Sequence, residues 1–188
     1  MAITGQGLTL EDFLRLPEEK PALEYDADGT VTQKVAPQGK RSRIQGRLSA
    51  WLYDRAELRE LAMAFPELRT TYSGASYVPD VAVYRWERIP RDTNGEVPDV
   101  VRLPPDVAIE IRSPDQSRSR LIRRCEWYVD HGVVLALLIE PQHEMVRVFR
   151  PGVAPALLQA GDQIDFGPLL PGLQLPVDEL FGWLRVPK

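Results

Sequence analysis

Hydrophobic and polar residues alternate along the chain with two periods, and these periods predict its helices and strands. A spacing of three to four residues between apolar side chains predicts a long amphipathic helix over residues 42–58 and another over residues 115–132. The second of these helices is closed by Gly132, a residue type that favours helix ends. Thr9 begins a capping-box-like sequence that predicts a short helix ending near Pro17.

Shorter apolar runs, alternating or continuous, predict the strands. Two arms around Asp28 and Gly29 predict a β-hairpin over residues 22–35. Further strands are predicted, in chain order, over residues 65–72, 77–86, 106–113, 133–141 and 145–151. Residues 88–105 are rich in proline and predict a loop, while residues 169–184 predict a covering strand and a last helical turn.

This order of elements predicts an α/β fold of the α+β kind. A central mixed β-sheet is expected to be flanked by helices and preceded by the N-terminal helix and hairpin. A chain of 188 residues is long enough for one domain with a sizeable core and short for two. Because no linker or change of composition divides the chain, residues 1–188 are expected to form a single domain.

The composition is ordinary for a globular protein and limits the possible functions. No apolar run approaches the roughly 18 residues of a membrane-spanning helix, and the N-terminus lacks the features of a signal peptide. The single Cys125 cannot form an internal disulfide, so a cytoplasmic location without a membrane partner is expected. One cysteine and two histidines are too few for a zinc site of thiolates or imidazoles.

The charge distribution leaves contact with nucleic acid open. A net charge of −4 argues against non-specific coating of nucleic acid. However, basic residues are concentrated in two clusters, within residues 40–47 and 112–124. A solvated helix face is the default interpretation of such clusters, and contact with a nucleic-acid backbone is the alternative.

Two predicted strands each carry an acidic residue opposite an aliphatic face. Because side chains alternate along a strand, Glu110 faces away from three aliphatic neighbours and shares its face with Arg112. Asp80 stands in the same relation to two valines of the earlier strand. If these strands are neighbours in register, the two carboxylates meet, which raises one pKa or recruits a cation such as Mg²⁺ or Mn²⁺. The structural alternative is a turn aspartate and a glutamate paired with Arg112 or Arg124.

Several segments together resemble the Uma-two family, a bacterial group of the PD-(D/E)XK restriction-endonuclease-like superfamily. They cover nearly the whole chain and read, in order, "TLEDFLRLPEEKPALEYDADGTV", "YVPDVAVYRWERIP", "PPDVAIEIRSPDQS", "CEWYVDHGV", "IEPQHEMVRVFRPG" and "LLPGLQL". Each segment alone is a weak signal, and their combination is specific. The resemblance implies a restriction-endonuclease-like central mixed sheet with an αβββαβ core.

The resemblance also implies an activity and the residues that perform it. Asp80 would be the motif aspartate and Glu110 the second motif acid, holding Mg²⁺ or Mn²⁺ while a metal-activated water hydrolyses a phosphodiester. Glu24 matches an N-terminal acidic position of the family and is a further candidate ligand, with a polar hairpin residue as the alternative. DNA is the implied substrate, and the pairing common in restriction-like folds implies a homodimer or larger assembly.

The chain departs from the family at the motif lysine. The strict motif places this lysine two residues after the acid, where the chain has Arg112. Many family members place it on the following helix, four residues before the tyrosine, where the chain has Arg124. Arginine keeps its charge and can bind a phosphate, but it cannot act as a base. Because Arg112 shares the strand face of Glu110, it is ranked slightly ahead of Arg124 as the catalytic cation, with joint action of both arginines as the alternative.

The other candidate residues carry weaker signals. Tyr128 lies one helical turn after Arg124 and could support the site, although a buried core tyrosine is the simpler interpretation. Gln45 is a second candidate support, and Cys125 is expected to be a buried small apolar residue. The arginines expected to contact nucleic acid are Arg43, Arg118 and Arg120.

Two functions of different classes follow from these observations. The first is a metal-dependent endonuclease that hydrolyses DNA, which the pair of acids favours. The alternative is a catalytically impaired nuclease-fold protein that binds nucleic acid or a protein partner without cleavage, which the missing lysine favours. Cleavage of another phosphoryl bond is a third, weaker hypothesis.

Overall fold

The computed structural model describes residues 2–3 and 7–186 of the chain. In this part of the chain the helices are α1 (Leu10–Phe13), α2 (Gly39–Arg55), α3 (Arg118–Asp130) and α4 (Val177–Gly182). The strands are β1 (Ala2–Ile3), β2 (Leu23–Tyr25), β3 (Val31–Gln33), β4 (Ala62–Pro66), β5 (Thr70–Tyr72), β6 (Ala75–Tyr77), β7 (Val81–Arg85), β8 (Val107–Ile111), β9 (Leu135–Glu140), β10 (Met145–Arg150), β11 (Val153–Leu158), β12 (Gln163–Asp165) and β13 (Gln174–Pro176).

Six strands form the main sheet, in the order β11-β10-β9-β8-β7-β4. Neighbouring strands are antiparallel except for β8 and β9, which run parallel and are connected by α3. A mixed sheet flanked by helices confirms the predicted fold class. Among residues 2–3 and 7–186, no helix is both long and apolar enough to cross a membrane.

Different helices cover the two faces of the main sheet. On one face α2 buries an apolar stripe that includes Ile44, Leu48 and Leu52, and α4 closes the same core. On the other face α3 packs against β8, β9 and β10 and buries Leu121 and Cys125. The aliphatic residues that alternation placed opposite Glu110 all lie in the α2 core; these are Val107, Ile109 and Ile111.

A second sheet of five strands, in the order β1-β3-β2-β6-β5, was not predicted. Two segments expected to be single strands are each divided between the two sheets. The first segment breaks after Pro66, where Glu67 adopts a left-handed backbone with φ of 51°. The second breaks at Pro79, which has no N–H to donate to a strand ladder. As a result β4 and β7 belong to the main sheet, while β5 and β6 belong to the second.

The connection between the two sheets lies beside the predicted hairpin. Residues 78–80 lead from β6 in the second sheet to β7 in the main sheet. The hairpin itself consists of β2 and β3, which pair with each other, and β2 also pairs with β6. Side chains from the hairpin and from the main sheet therefore meet around residues 78–80.

Candidate active site

Asp80 and Glu110 lie next to each other on neighbouring strands of the main sheet. β7 and β8 are antiparallel, with Val81 opposite Ile109, so that the register places Asp80 opposite Glu110. Both acidic residues are buried, with exposures of 1% and 2%. Because Ile109 points into the α2 core, Glu110 points to the α3 face of the sheet. The carboxylate of Asp80, just before β7, contacts Arg41 of α2 and the backbone of β8.

Asp80 is held by four residues from three parts of the chain: the end of β3, α2 and β8. Its Oδ1 accepts hydrogen bonds from Lys34 Nζ at 2.9 Å and from Arg41 Nε at 3.1 Å, and Arg41 Nη2 is also bound to it. Its Oδ2 accepts from the backbone N–H of Ile111 at 2.7 Å. Its backbone oxygen accepts from Gln45 Nε2 at 2.9 Å, so Gln45 positions the residue from behind. Asp80 is thus compensated by two cations.

Glu110 forms the second half of the cluster together with Glu24, Arg124 and Tyr128. The Tyr128 hydroxyl donates to Glu110 Oε1 at 2.8 Å, and Arg124 Nη1 lies 3.8 Å from the same oxygen. Arg124 Nη1 is closer to Glu24 Oε2, at 2.7 Å. Glu24 Oε1 accepts from the backbone N–H of Val78 at 3.1 Å. A single buried guanidinium therefore bridges two buried carboxylates.

Burial and neighbouring charges shift the pKa values in this cluster. Burial raises the pKa of Glu110 to about 7; Arg124 and Lys34 oppose this shift, while Asp80 and Glu24 add to it. Burial alone would lower the pKa of Arg124, but Glu24 and Glu110 hold it well above its usual value. Burial, then the charge of Glu110, raises the pKa of Tyr128 well above its usual value, so this phenol stays a donor. Glu110 consequently takes up a proton more readily than an exposed carboxyl does.

Lys34 and Arg41 are components of the cluster that were missed as site residues. Lys34 follows β3 and is 8% exposed, and its Nζ also donates to Val78 O at 2.6 Å. Arg41 is 2% exposed and lies on the buried side of α2, one turn before Ile44. A charged residue that heads an apolar helical stripe is a signal available in the sequence. The contact of Lys34 with Asp80 carries no comparable signal, because it joins two sheets.

Arg112 has contacts different from those expected. Its Nη1 lies 3.6 Å from Glu140 Oε1 and its Nε donates to Gln116 O at 3.0 Å. The parallel pairing of β8 with β9 explains this, because Ile111 is opposite Ile139 and the next residues in each strand are Arg112 and Glu140. The arginine within 4 Å of Glu110 is therefore Arg124 rather than Arg112, and the choice between them as the catalytic cation stays a prediction.

The three arginines expected to contact nucleic acid lie at separate places. Arg43, on α2, donates through Nε to Trp183 O at 3.0 Å. Arg118, at the start of α3, donates to the buried Glu140 at 2.5 Å. Arg120 contacts Thr32 Oγ1 and, at 3.4 Å, Asp26 Oδ2. Each arginine is already engaged within the chain, and their contact with nucleic acid stays a prediction.

The donor chemistry of the cluster suits a hard cation held by two carboxylates. Mg²⁺ prefers oxygen ligands and commonly uses one or two carboxylates, with waters and phosphate oxygens completing its shell. Burial raises the pKa of Glu110 even beside Arg124, so a further cation at this carboxyl would stabilise its charged form. Among residues 2–3 and 7–186, no group of three or more Asp, Glu, His or Cys side chains is arranged to hold an ion. An ion here would depend on Asp80 and Glu110 with waters completing its shell, since Glu24 is engaged by Arg124.

The mixed sheet, with buried acids on two neighbouring strands, has the architecture of a restriction-endonuclease-like nuclease fold. The chain belongs to the Uma2 family, described as "Putative restriction endonuclease", whose model matches residues 10–178. It is similar to a crystal structure from Anabaena variabilis ATCC 29413, described as a "putative nuclease belonging to DUF820". The two are 37% identical with a TM-score of 0.90, over 94% of this chain and 99% of that one.

A second similarity concerns only part of the chain. A cytidylate kinase from Archaeoglobus fulgidus is 32% identical over 82 residues, which cover 44% of this chain and 45% of that protein. The chain thus spans under half the length of this curated relative. The phosphate-binding sequence G-x-x-x-x-G-K-S/T does not occur in this chain.

Proposed function

We propose that this protein is a metal-dependent endonuclease that hydrolyses phosphodiester bonds of DNA. The observation that carries the proposal is the buried pair of Asp80 and Glu110, brought together by neighbouring strands in a member of a nuclease family. A buried carboxyl with a pKa of about 7 favours the arrival of a cation, since a cation stabilises its charged form.

Each residue of the cluster has a distinct role in this proposal. Asp80 and Glu110 would hold Mg²⁺ or Mn²⁺, which when bound lowers the pKa of a coordinated water and neutralises charge on the phosphoryl oxygens. Arg124 carries a fixed positive charge that stabilises the charge developing on the phosphate, and it cannot act as the base. Tyr128 fixes the orientation of Glu110 through its 2.8 Å hydrogen bond.

The ion pairs on Asp80 set a condition for this activity. Its Oδ1 is bound by both Lys34 and Arg41, so a cation on that oxygen has to replace at least one of them. Lys34 is a compact charge on a flexible stem with one bond each to Asp80 and Val78 O. Arg41 binds Asp80 through two nitrogens and Val35 O through a third, at 2.8 Å. Lys34 is therefore the side chain expected to move.

The same ion pairs favour a second candidate function. Each of the three buried carboxylates, Glu24, Asp80 and Glu110, already has a basic partner within 4 Å, so the cluster is compensated without a metal. A protein with such a cluster would bind nucleic acid on a nuclease fold without cutting it. Arginine in place of lysine at both motif positions is consistent with this alternative.

Cleavage and binding assays on matched variants separate the two functions. Supercoiled plasmid and a labelled duplex are incubated with wild type, Asp80→Asn, Glu110→Gln and the exposed control Glu126→Gln, in Mg²⁺, Mn²⁺ or EDTA. The proposal expects cleavage by wild type and the control with either metal, and none by the two site variants or in EDTA. DNA binding without cleavage under every condition would favour the second function. Cleavage that persists in both site variants would refute the assigned site.

A homodimer or larger assembly is also expected for the active protein. β11 is an edge strand of the main sheet, and Val153 and Leu157 on it are 65% and 41% exposed. Size-exclusion chromatography with light scattering measures the assembly state directly, and a monomer at assay concentrations would remove this expectation.

A further inference from the structure

We propose that a basic cavity at the beginning of α2 binds a phosphate group, which under the proposed function belongs to the DNA backbone beside the bond that is cut. The cavity has a volume of about 250 Å³, large enough for one phosphate. Its lining includes Gln38, Lys40, Arg41, Arg112, Ser113 and Gln142. The DNA part of this inference rests on the proposed function, whereas the phosphate part does not.

The cavity adjoins the carboxylate cluster through a shared side chain. Arg41 lines the cavity, and its guanidinium is bound to Asp80. A phosphate in the cavity would thus lie one side chain away from the carboxylate pair. None of the acids of the cluster lines the cavity, so the two sites are separate.

The first turn of α2 is basic, which is unfavourable at a helix N-terminus unless an anion binds there. The positive end of the helix dipole favours acidic side chains, yet this turn has no acidic residue and contains Lys40 and Arg41. Gln38, the N-cap residue, makes no side-chain cap and instead donates to Asp115 Oδ2 at 2.9 Å. The first backbone N–H groups of a helix lack partners within the helix, and such groups bind phosphate readily.

Ser113 and Arg112, which follow β8 and line the same cavity, supply independent evidence. Ser113 is 1% exposed, and within residues 7–186 its hydroxyl has no hydrogen-bond partner. A buried hydroxyl without a partner is costly, and a ligand oxygen would satisfy it. Arg112 is fixed from behind by Glu140 and Gln116, and its side chain is 18% exposed. Polar residues from α2 and from the segment after β8 thus line one cavity.

A charge-reversal variant with a matched control tests the site through DNA binding. Lys40→Glu changes the exposed lysine of the first turn, and Arg59→Glu makes the same charge change beyond the other end of α2. Affinity for a labelled duplex is measured by fluorescence anisotropy in EDTA over a series of salt concentrations, so that cleavage plays no part. We expect Lys40→Glu to lose affinity several-fold and to lower the slope of log affinity against log salt concentration by about 1. Arg59→Glu should change both quantities little.

A purely structural effect of Lys40→Glu would show itself in stability. A glutamate in the first turn suits the helix dipole, so this variant is expected to keep or raise the melting temperature while it loses affinity. Equal losses of affinity in Lys40→Glu and Arg59→Glu would show a general effect of charge and overturn the proposal. Loss of affinity that follows a loss of folded protein would overturn it as well.

Ser113→Ala and inorganic phosphate test the same cavity without DNA. Removal of an unsatisfied buried hydroxyl should leave the melting temperature unchanged or higher, while it weakens phosphate binding. Inorganic phosphate is expected to raise the melting temperature of wild type more than that of Ser113→Ala or Lys40→Glu. Equal shifts in all three proteins, together with unchanged DNA affinity in both variants, would overturn the site.

The two sources of phosphate are distinguished by comparing these experiments. One outcome is that Lys40→Glu and Ser113→Ala weaken DNA binding while inorganic phosphate has no effect on wild type. This would identify the DNA backbone as the source of the phosphate and support the proposal. A second outcome is that inorganic phosphate stabilises wild type more than the two variants, while the protein does not bind DNA. This would support the phosphate site and refute its assignment to nucleic acid. In that case the proposed nuclease function fails, while the cavity is still a phosphate-binding site.

Discussion

Lys34 and Asp80 form a buried ion pair of 2.9 Å between the two sheets of the protein. Lys34 follows β3 of the second sheet, and Asp80 immediately precedes β7 of the main sheet. Their side chains are 4% and 1% exposed. The cluster therefore contains a lysine, although both positions at which the motif predicts one are arginine.

Replacement of Lys34 by methionine should destabilise the protein moderately. Breaking a buried pair costs about 3–5 kcal/mol when one charge is left alone, but Arg41 still compensates Asp80, so we expect about 2 kcal/mol. Urea unfolding of Lys34→Met measures this loss, with the exposed Lys40→Met as the control. Equal stability of the two variants would show that the pair contributes no net stability to the folded protein.

Replacement of Arg124 should have a larger effect, because two carboxylates lose their shared partner. Arg124→Met leaves Glu24 and Glu110 buried without a guanidinium, and we expect a loss of about 3–5 kcal/mol. The double variant Glu24→Gln with Arg124→Met should recover part of this loss, since one uncompensated charge has been removed. Arg123→Met, on the exposed side of the same helix, serves as the control. Additive losses in the double variant would contradict the bridge.

The raised pKa of Glu110 predicts a characteristic dependence of stability on pH. The folded protein holds this proton up to about pH 7, whereas the unfolded chain releases it near the usual value of 4.5. Between these values the folded state binds more protons, so the free energy of unfolding falls as pH rises, by up to about 3 kcal/mol. This stabilising contribution is fully present below pH 4.5 and lost above pH 7.

Glu110→Gln should remove that dependence, because the amide does not titrate. Relative to wild type, the variant is expected to gain stability as the pH rises from about 4.5 to 8. Urea unfolding of both proteins at several pH values measures the difference, with Glu126→Gln as an exposed control. A difference between wild type and Glu110→Gln that stays constant with pH would show that Glu110 titrates normally.

Cys125 should be unreactive in the folded protein. It is fully buried, and burial raises the pKa of its thiol well above the usual value, which suppresses the reactive thiolate. We expect a thiol reagent such as DTNB to label native protein very slowly and urea-unfolded protein at once. Rapid labelling under native conditions would indicate that α3 opens readily.

The features predicted correctly depend on local periodicity. Alternation along β8 correctly set Glu110 opposite the aliphatic residues of the α2 core, and the register of β7 and β8 brings Asp80 opposite Glu110. Helical spacing likewise predicted α2 and α3, and the turn at Asp28 and Gly29 predicted the hairpin. In each case a few neighbouring residues contain the information.

The features that were missed depend on contacts between distant parts of the chain. Arg112 was assigned to Glu110 because they share a strand face, but the parallel partner β9 brings Glu140 beside it. Lys34 and Asp80 are separated by 46 residues, and no local pattern links them. The sequence shows the prolines at which the strands divide, Pro66 and Pro79, but it gave no sign of a second sheet.

The three-residue connection 78–80 ties the pocket to the assembly of the entire chain. The N–H of Val78 donates to Glu24, and its carbonyl oxygen accepts from Lys34. The carboxylate of Asp80 accepts hydrogen bonds from Lys34 and Arg41. A fragment confined to the main sheet would keep both strand acids and lose Glu24 and Lys34. A chimaera between relatives should accordingly take the hairpin, the connection and the main sheet from the same parent. Exchanging one of them alone would break the contacts of the pocket even if every acidic residue were kept.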